Sequence, residues 1–340
     1  MNAYFYGSKT SINDATKYYV NLITSVLAQR GYKIIFESKI KKIKKPDLIF
    51  TITERDFVIA KFYHPLTKTI FWSQGVAAEE AIGNKITFAS VKLWTKKMIE
   101  VFIALHFSSV VFLVSERMRK RYAREYLYLK KNNIIMPCYN LQLSNDFSIN
   151  RYQQPTFVYA GAFLEWQCVP EMLKVFSNIE KKLPDARLTI LSKDKESFIK
   201  TIIEYGIKNY EIKYIPQEKL NDELKKYKYG FLLRHNTIIN QVATPTKMNS
   251  YLSNYIIPIF TDAVDDFKKN INLGEFTLCY KCPFKEEVIS KDIINFENKK
   301  LDYVKYKEYI KNIFENYYND EKYILEIHKK FDKHSIGKQI

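Results

Sequence analysis

Gly230-Phe231-Leu232-Leu233-Arg234, followed by Thr244-Pro245-Thr246-Lys247-Met248-Asn249-Ser250-Tyr251-Leu252, decides how this chain is read. The first stretch is a short apolar run that ends on an arginine, the pattern of a buried strand. The second opens with Thr244, which suits an N-cap, and Pro245, which suits a first helical turn, and it predicts a helix over 245–253. A strand, a short connection and a helix follow one another, with one cation at the end of the strand and another at the start of the helix. Lys247 falls at the positive end of the helix dipole, where a cation is disfavoured by a few tenths to about 1 kcal/mol. A bound anion reverses that sign. Backbone N–H groups, Lys247 and Arg234 together form a cradle suited to a diphosphate. The bland alternative, in which Lys247 simply extends to solvent, stays open on this segment alone.

The same alternation of strand and helix runs outward in both directions, which predicts an α/β protein with mainly parallel sheets. Upstream, the expected strands are 3–6, 33–36, 47–52, 69–72 and 110–114. Residues 14–30 read as a helix, with Tyr18, Leu22, Val26 and Leu27 on one stripe and Gly31 at its end; 90–106 and 116–129 read as two more. The polar run 140–155 reads as a linker. Strands are then expected at 156–160, 187–191, 211–215, 229–233 and 257–260, with helices between them, and two helices at 305–318 and 321–331 close the chain. The repetition is of two Rossmann-like halves. Ligands of open α/β sheets bind outside the carboxyl ends of the strands, and Arg234 and Lys247 are expected there.

Composition narrows the classes. The chain has 340 residues, 46% of them hydrophobic, enough for two ordinary domains. No apolar run approaches the roughly 20 residues of a membrane span. Met1-Asn2-Ala3-Tyr4-Phe5-Tyr6-Gly7 has no basic leader pattern, and a cytoplasmic chain is expected. Lys and Arg number 54 against 37 Asp and Glu, a formal net charge of +17, which favours a polyanionic partner such as an anionic membrane surface or nucleic acid. No nucleic-acid module is recognisable, so nucleic acid is not the expected partner. The basic clusters 39–45, 92–97 and 117–124 all lie in the first half. Lys92, Lys96 and Lys97 interleave with Val91, Leu93, Trp94 and Met98, a mixture that suits a helix lying at an interface and equally a core-facing helix with a solvated basic side. Cys279 and Cys282 have CxxC spacing, but no second pair or nearby histidine completes a zinc site, and no metal ligands are assigned. There is no Walker loop, GxSxG or GxGxxG.

Several stretches resemble the GT-B fold retaining glycosyltransferases of family 4, of the bacterial capsule and exopolysaccharide type. They are Phe157-Val158-Tyr159-Ala160-Gly161 with Trp166-Gln167, then Gly230 to Arg234, then Asn240 with Val242 to Lys247 and Tyr251-Leu252, and in the first half Phe71-Trp72-Ser73-Gln74-Gly75 with Glu79-Glu80. The resemblance implies two Rossmann-like domains facing each other across a cleft: an acceptor-side domain over 1–145, a nucleotide-sugar domain over 155–318, and a C-terminal helix over 319–340 that packs back on the first domain. It implies a metal-independent transferase that moves a sugar from a nucleoside-diphosphate sugar to a saccharide or lipid-linked saccharide, with retention, in surface polysaccharide synthesis, and needs no other cofactor. On this resemblance Arg234 and Lys247 neutralise the leaving diphosphate. Gly161, Trp166, Gln167, Thr244, Thr246 and Ser250 belong to the donor side, and Asn13, Gln74, Gly75, Glu79 and Glu80 to the acceptor side. Enzymes of this kind act at the inner membrane face, where the basic clusters would serve.

The chain departs from that pattern. Val242 and Ser250 stand where the family often carries two glutamates, the second of which pairs with the nucleotide ribose. Valine cannot act as acid, base or ligand, and a serine offers one hydroxyl in place of a charged acceptor. A second expectation follows: a catalytically weak GT-B subunit that serves as a binding or scaffold partner.

Overall fold

The computed structural model describes residues 1–8, 12, 14–82 and 87–337. The chain divides into two compact units. The first comprises 1–140, 242–244 and 319–340, and the second 141–241 and 245–318.

In the first unit six strands form one parallel sheet: β1 (Asn2–Tyr6), β2 (Lys33–Glu37), β3 (Leu48–Thr51), β4 (Lys68–Ser73), β5 (Val110–Leu113) and β6 (Asn133–Ile135), in the order β2-β1-β3-β4-β5-β6. β3 and β5, Leu-Ile-Phe-Thr and Val-Val-Phe-Leu, are buried at every position. Continuous burial is what helices on both faces of a parallel sheet require. The helices are α1 (Asp14–Gln29), α2 (Glu54–Tyr63), α3 (Ala77–Ile82), α4 (Phe88–Phe107) and α5 (Glu116–Glu125). α5 stops short of the expected 129 because Tyr126 caps it and Leu127 turns into the left-handed region (φ 52°), a position at which no glycine signals the stop. Trp72 is core, stacked on Tyr19 with ring centroids 3.7 Å apart.

The second unit repeats the plan with β7 (Thr156–Ala160), β8 (Arg187–Leu191), β9 (Tyr210–Lys213), β10 (Tyr229–Leu232), β11 (Ile257–Thr261) and β12 (Leu278–Tyr280), in the order β12-β11-β10-β7-β8-β9. All pairings are parallel. Its helices are α6 (Val169–Glu180), α7 (Lys195–Glu204), α8 (Gln217–Leu224), α9 (Ile238–Val242), α10 (Thr246–Ser253), α11 (Asp265–Asn270), α12 (Glu286–Glu297) and α13 (Tyr303–Asn316). The strand order reverses between β7 and β10, so the carboxyl ends of these two strands form the switch point at which open α/β sheets hold ligands.

Two expectations change. The run 140–155 is not a free linker. Tyr152 is buried, donates to Tyr255 O at 2.7 Å and stacks on Tyr303 at 4.0 Å, while Ser144 N–H donates to Ser253 O at 3.0 Å. Its polar composition conceals the two aromatics that anchor it, Tyr152 and Phe147, whose ring lies 4.9 Å from that of Tyr255. The helix predicted from Thr244 starts later: Pro245 is the N-cap of α10 and no side chain caps it. The Thr244 hydroxyl instead accepts from Cys138 N–H at 2.9 Å inside the first unit.

The last helix, α14 (Asp320–Lys333), belongs to the first unit. Asp320 accepts from Tyr18 at 2.6 Å and Tyr139 at 2.8 Å. Buried Arg30 reaches Asp332 at 2.6 Å and Ile336 O at 2.7 Å.

Candidate functional site

Gly161 follows β7 and Arg234 follows β10, so the switch point of the second sheet presents both. Thr261, at the end of β11, grips the Arg234 backbone twice: its hydroxyl accepts from Arg234 N–H at 3.1 Å and lies 2.8 Å from Arg234 O. The guanidinium is buried and donates through Nη1 to Trp166 O at 3.2 Å, while its Nε meets no acceptor. Desolvation lowers its pKa.

Lys247, in the first turn of α10, bends back over Gly161. Its ammonium donates to Gln167 Oε1 and to the Tyr159 hydroxyl at 3.2 Å, and sits 4.2 Å from the centroid of the Tyr159 ring. A Cβ on Gly161 would lie 2.5 Å from Lys247 Nζ, and φ there is +154°. Glycine is required both by the backbone angle and by the approach of the ammonium. Lys247 keeps part of its surface open, yet its ammonium is desolvated. That desolvation, and then the charge of Arg234, lower its pKa well below 10.5.

Neither cation forms an ion pair among the described residues. Taking a charge out of water costs several kcal/mol unless an opposite charge compensates it. Two neighbouring cations held this way, one with an unpartnered N–H, make a site with a deficit of negative charge. An oxyanion with several acceptor atoms supplies what is missing. The uncapped start of α10 adds backbone N–H groups of the same polarity.

The other expected residues divide. Trp166 is 46% exposed and contributes its carbonyl to Arg234; Gln167 holds Lys247. Thr246 opens α10, and the Ser250 hydroxyl donates to Thr246 O at 3.1 Å, one turn earlier on the same helix. Thr244 is turned away from this group. In the first unit, Gln74 donates to Ile52 O at 3.3 Å, and Gly75 O accepts from Tyr122 at 3.0 Å. Glu79 is bound by Arg121, which also holds Glu125 at 2.7 Å. Glu80 is otherwise exposed but turns its carboxylate over Gly75, in the space where a Cβ would stand, and local desolvation raises its pKa. Asn13 lies outside the described residues.

Sequence reasoning missed Tyr159, whose hydroxyl and ring both meet Lys247, and Tyr251, whose hydroxyl accepts from Ala160 N–H at 3.3 Å and whose ring covers Gly230. Both are aromatics in apolar runs, which pattern alone reads as core. Cys168, Glu171 and His235 also converge, with potential ligand atoms within 4.8 Å of one another. His235 is hydrogen-bonded to Glu171 at 2.8 Å, and burial pushes the Cys168 thiol up to about 12. A thiol held protonated beside Arg234 is a structural group, and no metal is assigned to it.

No family model and no curated protein matches the sequence. Solved structures do. A variant of S. aureus TarM in complex with Fondaparinux, alpha-GlcNAc-glycerol and UDP superposes with a TM-score of 0.61 at 11% identity, over 92% of this chain and 58% of that one. Sucrose-phosphate synthase from Thermosynechococcus elongatus gives 0.73 at 10% identity, over 98% of both chains. The pneumococcal O-GlcNAc transferase GtfA in complex with UDP and GlcNAc gives 0.64 at 11% identity, over 85% of this chain and 57% of that one. The fold is that of GT-B glycosyltransferases. This chain thus spans little more than half the length of TarM and GtfA, and the whole of the synthase.

Proposed function

We propose that this GT-B protein transfers a sugar from a nucleoside-diphosphate sugar to a saccharide or lipid-linked saccharide, with retention, in bacterial surface polysaccharide synthesis, as a family 4 enzyme would. One observation carries the reading: Arg234 and Lys247 converge without a carboxylate partner at the switch point of the second sheet. A departing diphosphate needs preorganised positive charge as its bond to the sugar breaks. Arg234 offers a planar fork and Lys247 a point charge, so these side chains supply the charge that a metal supplies elsewhere. Trp166 and Gln167 flank the donor, Gly161 leaves room for Lys247, Thr246 opens α10, and Ser250 follows one turn later on the same helix. On the acceptor side Gln74, Gly75 and Glu80 are the candidates, with Glu79 occupied by Arg121. The protein would work in the cytoplasm at the inner membrane face. No described helix is long and apolar enough to cross a membrane.

The test is a thermal-shift screen of UDP-, GDP- and CDP-linked sugars. A ligand at 100 times its Kd stabilises by about 2.7 kcal/mol, and one nucleotide class is expected to do so. No shift with any of them, or an equal shift in the Arg234→Ala/Lys247→Ala variant, would reject the reading. A catalytically weak binding subunit is the second reading, and Val242 favours it: the side chain is fully buried and its carbonyl is taken by Ser115 at 2.6 Å. Nucleotide-sugar binding without turnover on any saccharide acceptor would select that reading.

A further inference from the structure

We infer that the groove between the start of β6 and the last turn of α14 is a binding site for a soluble ligand that carries two or more phosphate groups. Ser109 immediately precedes β5, and Lys130 and Lys131 lie just before β6, so the groove opens at the amino ends of these strands. Lys330, Lys333 and His334, at the end of α14, form its other wall. Gln74 and Gly75 follow β4 at the opposite, carboxyl end of the sheet, where open α/β sheets hold ligands. The groove is therefore separate from the acceptor-side candidates. It belongs to the first unit and the Arg234–Lys247 site to the second, so either can fail without the other. Its volume is about 780 Å³, within the roughly 300–1,000 Å³ of small-molecule sites.

The lining is built from cations. Four lysines line the groove and no carboxylate does. None of the four makes an ion pair among the described residues. Lys130 donates to His106 O and Lys330 to Lys131 O at 2.8 Å, so neutral carbonyls hold these two, while Lys131 and Lys333 are exposed. Glu326, whose charge acts on Lys330, lines the adjoining groove along β6, and Asp332 is taken by Arg30 at 2.6 Å. Burial and then the charge of Lys333 lower the Lys330 pKa; burial, then Lys330, Lys68 and Lys333, lower that of His334. Helix dipoles do not account for this excess. Cations are favoured at the ends of α4 and α14, but each helix end is worth about half a negative charge. Two ends together offset about one lysine of the four. Lys330 and Lys333 are moreover three residues apart on one helix, where like charges destabilise.

The chemistry selects a polyvalent oxyanion. Ammonium groups are point charges that suit phosphate, whereas a single carboxylate is matched by the planar fork of arginine, and no arginine lines the groove. The Ser109 hydroxyl accepts from Thr69 N–H at 3.3 Å and donates to no described residue, which leaves its proton for a ligand oxygen. Asn132 fixes the floor, donating to Ser108 O at 2.9 Å and Ser109 O at 3.2 Å. The positive charge left over exceeds what one phosphate neutralises, so the ligand carries several. No Phe, Tyr, Trp or aliphatic side chain lines the groove, so it offers nothing for bases to stack on and nothing for acyl chains.

Tripolyphosphate is the probe. Calorimetric titration of the Arg234→Ala/Lys247→Ala chain, which lacks the cations of the second unit, should still show one tripolyphosphate per chain, with orthophosphate weaker by about ten-fold or more. Adding Lys131→Glu/Lys333→Glu should weaken tripolyphosphate by about thirty-fold at an unchanged melting temperature, since both residues are exposed. In the parent chain, tripolyphosphate should protect Lys131 and Lys333 from acetic anhydride, read residue by residue by mass spectrometry, a measurement that needs no variant to fold. Absence of a site in the folded Arg234→Ala/Lys247→Ala chain, unchanged affinity after Lys131→Glu/Lys333→Glu, or equal acetylation with and without tripolyphosphate overturns the proposal. So does sedimentation with phosphatidylglycerol vesicles that Lys131→Glu/Lys333→Glu abolishes, which would assign these lysines to a lipid surface.

Discussion

The two units share a parallel six-stranded plan and both pair buried charges, as Lys228 with Glu297 at 2.7 Å in the second, but at one point the second unit leaves two cations without a carboxylate. In the first, three cations that leave water find carboxylates. Arg121 lies between Glu79 and Glu125, Lys97 between Glu54 and Glu100, and Arg30 meets Asp332. In the second, the carboxyl ends of β7 and β10 hold Arg234 and Lys247 with neutral oxygens alone. The same chain pairs its charges where they serve folding and leaves two cations unpaired at one place. That place is where the topology of the sheet puts a ligand. Folding stability alone would not select it, because unpaired desolvated charge destabilises.

The largest expected effect tests the unpaired side. Arg234→Ala and Lys247→Ala should each lower turnover by about 10²–10³, the loss typical when a donor to developing negative charge is removed, with the fold retained by circular dichroism. Normal turnover in both would erase the contrast between the units. The paired side should respond in stability instead. Arg121→Ala leaves Glu79 without its cation in a mostly buried setting, while Glu125 keeps only the exposed Arg124, and should destabilise by about 1–3 kcal/mol in urea unfolding, with nucleotide affinity unchanged.

Gly161→Ala sharpens the geometry. It forces a Cβ against the Lys247 ammonium at an angle that only glycine adopts readily. Nucleotide affinity should fall by about ten-fold, or 1.4 kcal/mol, measured calorimetrically, and an unchanged Kd would mean that Lys247 does not act from this position. The smallest effect concerns pH. Because the Lys247 pKa is lowered in the free protein, the unfolded chain binds more protons at this group between the lowered value and 10.5. Stability contributed there therefore rises with pH across that window. Lys247→Met should abolish the rise and stabilise the free protein by about 0.5–2 kcal/mol. A bound diphosphate raises the same pKa. Its affinity should consequently fall as pH climbs through the free-protein value, with proton uptake visible in buffers of different ionisation enthalpy.

The fold class was legible because strand and helix periods alternate cleanly through 3–6, 14–30 and 229–253. Gly31 and Pro245 were legible as punctuation for local reasons of φ and missing N–H. The stop of α5 at Tyr126 was not, since Leu127 enters the left-handed region with no residue type to announce it. Nor was the docking of 140–155, which turns on Tyr152 finding Tyr303 far along the chain. Thr244 shows the limit of a local rule: its hydroxyl suits an N-cap, and a distant N–H, that of Cys138, takes it instead.

By itself the sequence determined the alternating architecture, the large positive charge and the presence of a cation at the end of one strand and the start of the next helix. Only the tertiary structure decided that these cations meet over Gly161 without a carboxylate, that Tyr159 and Gln167 hold Lys247, and that Lys97 turns inward while Lys92 and Lys96 stay out. The reason is physical. Period and propensity act between neighbours in sequence, whereas the compensation of a buried charge depends on which distant groups the sheet order brings within a few ångströms.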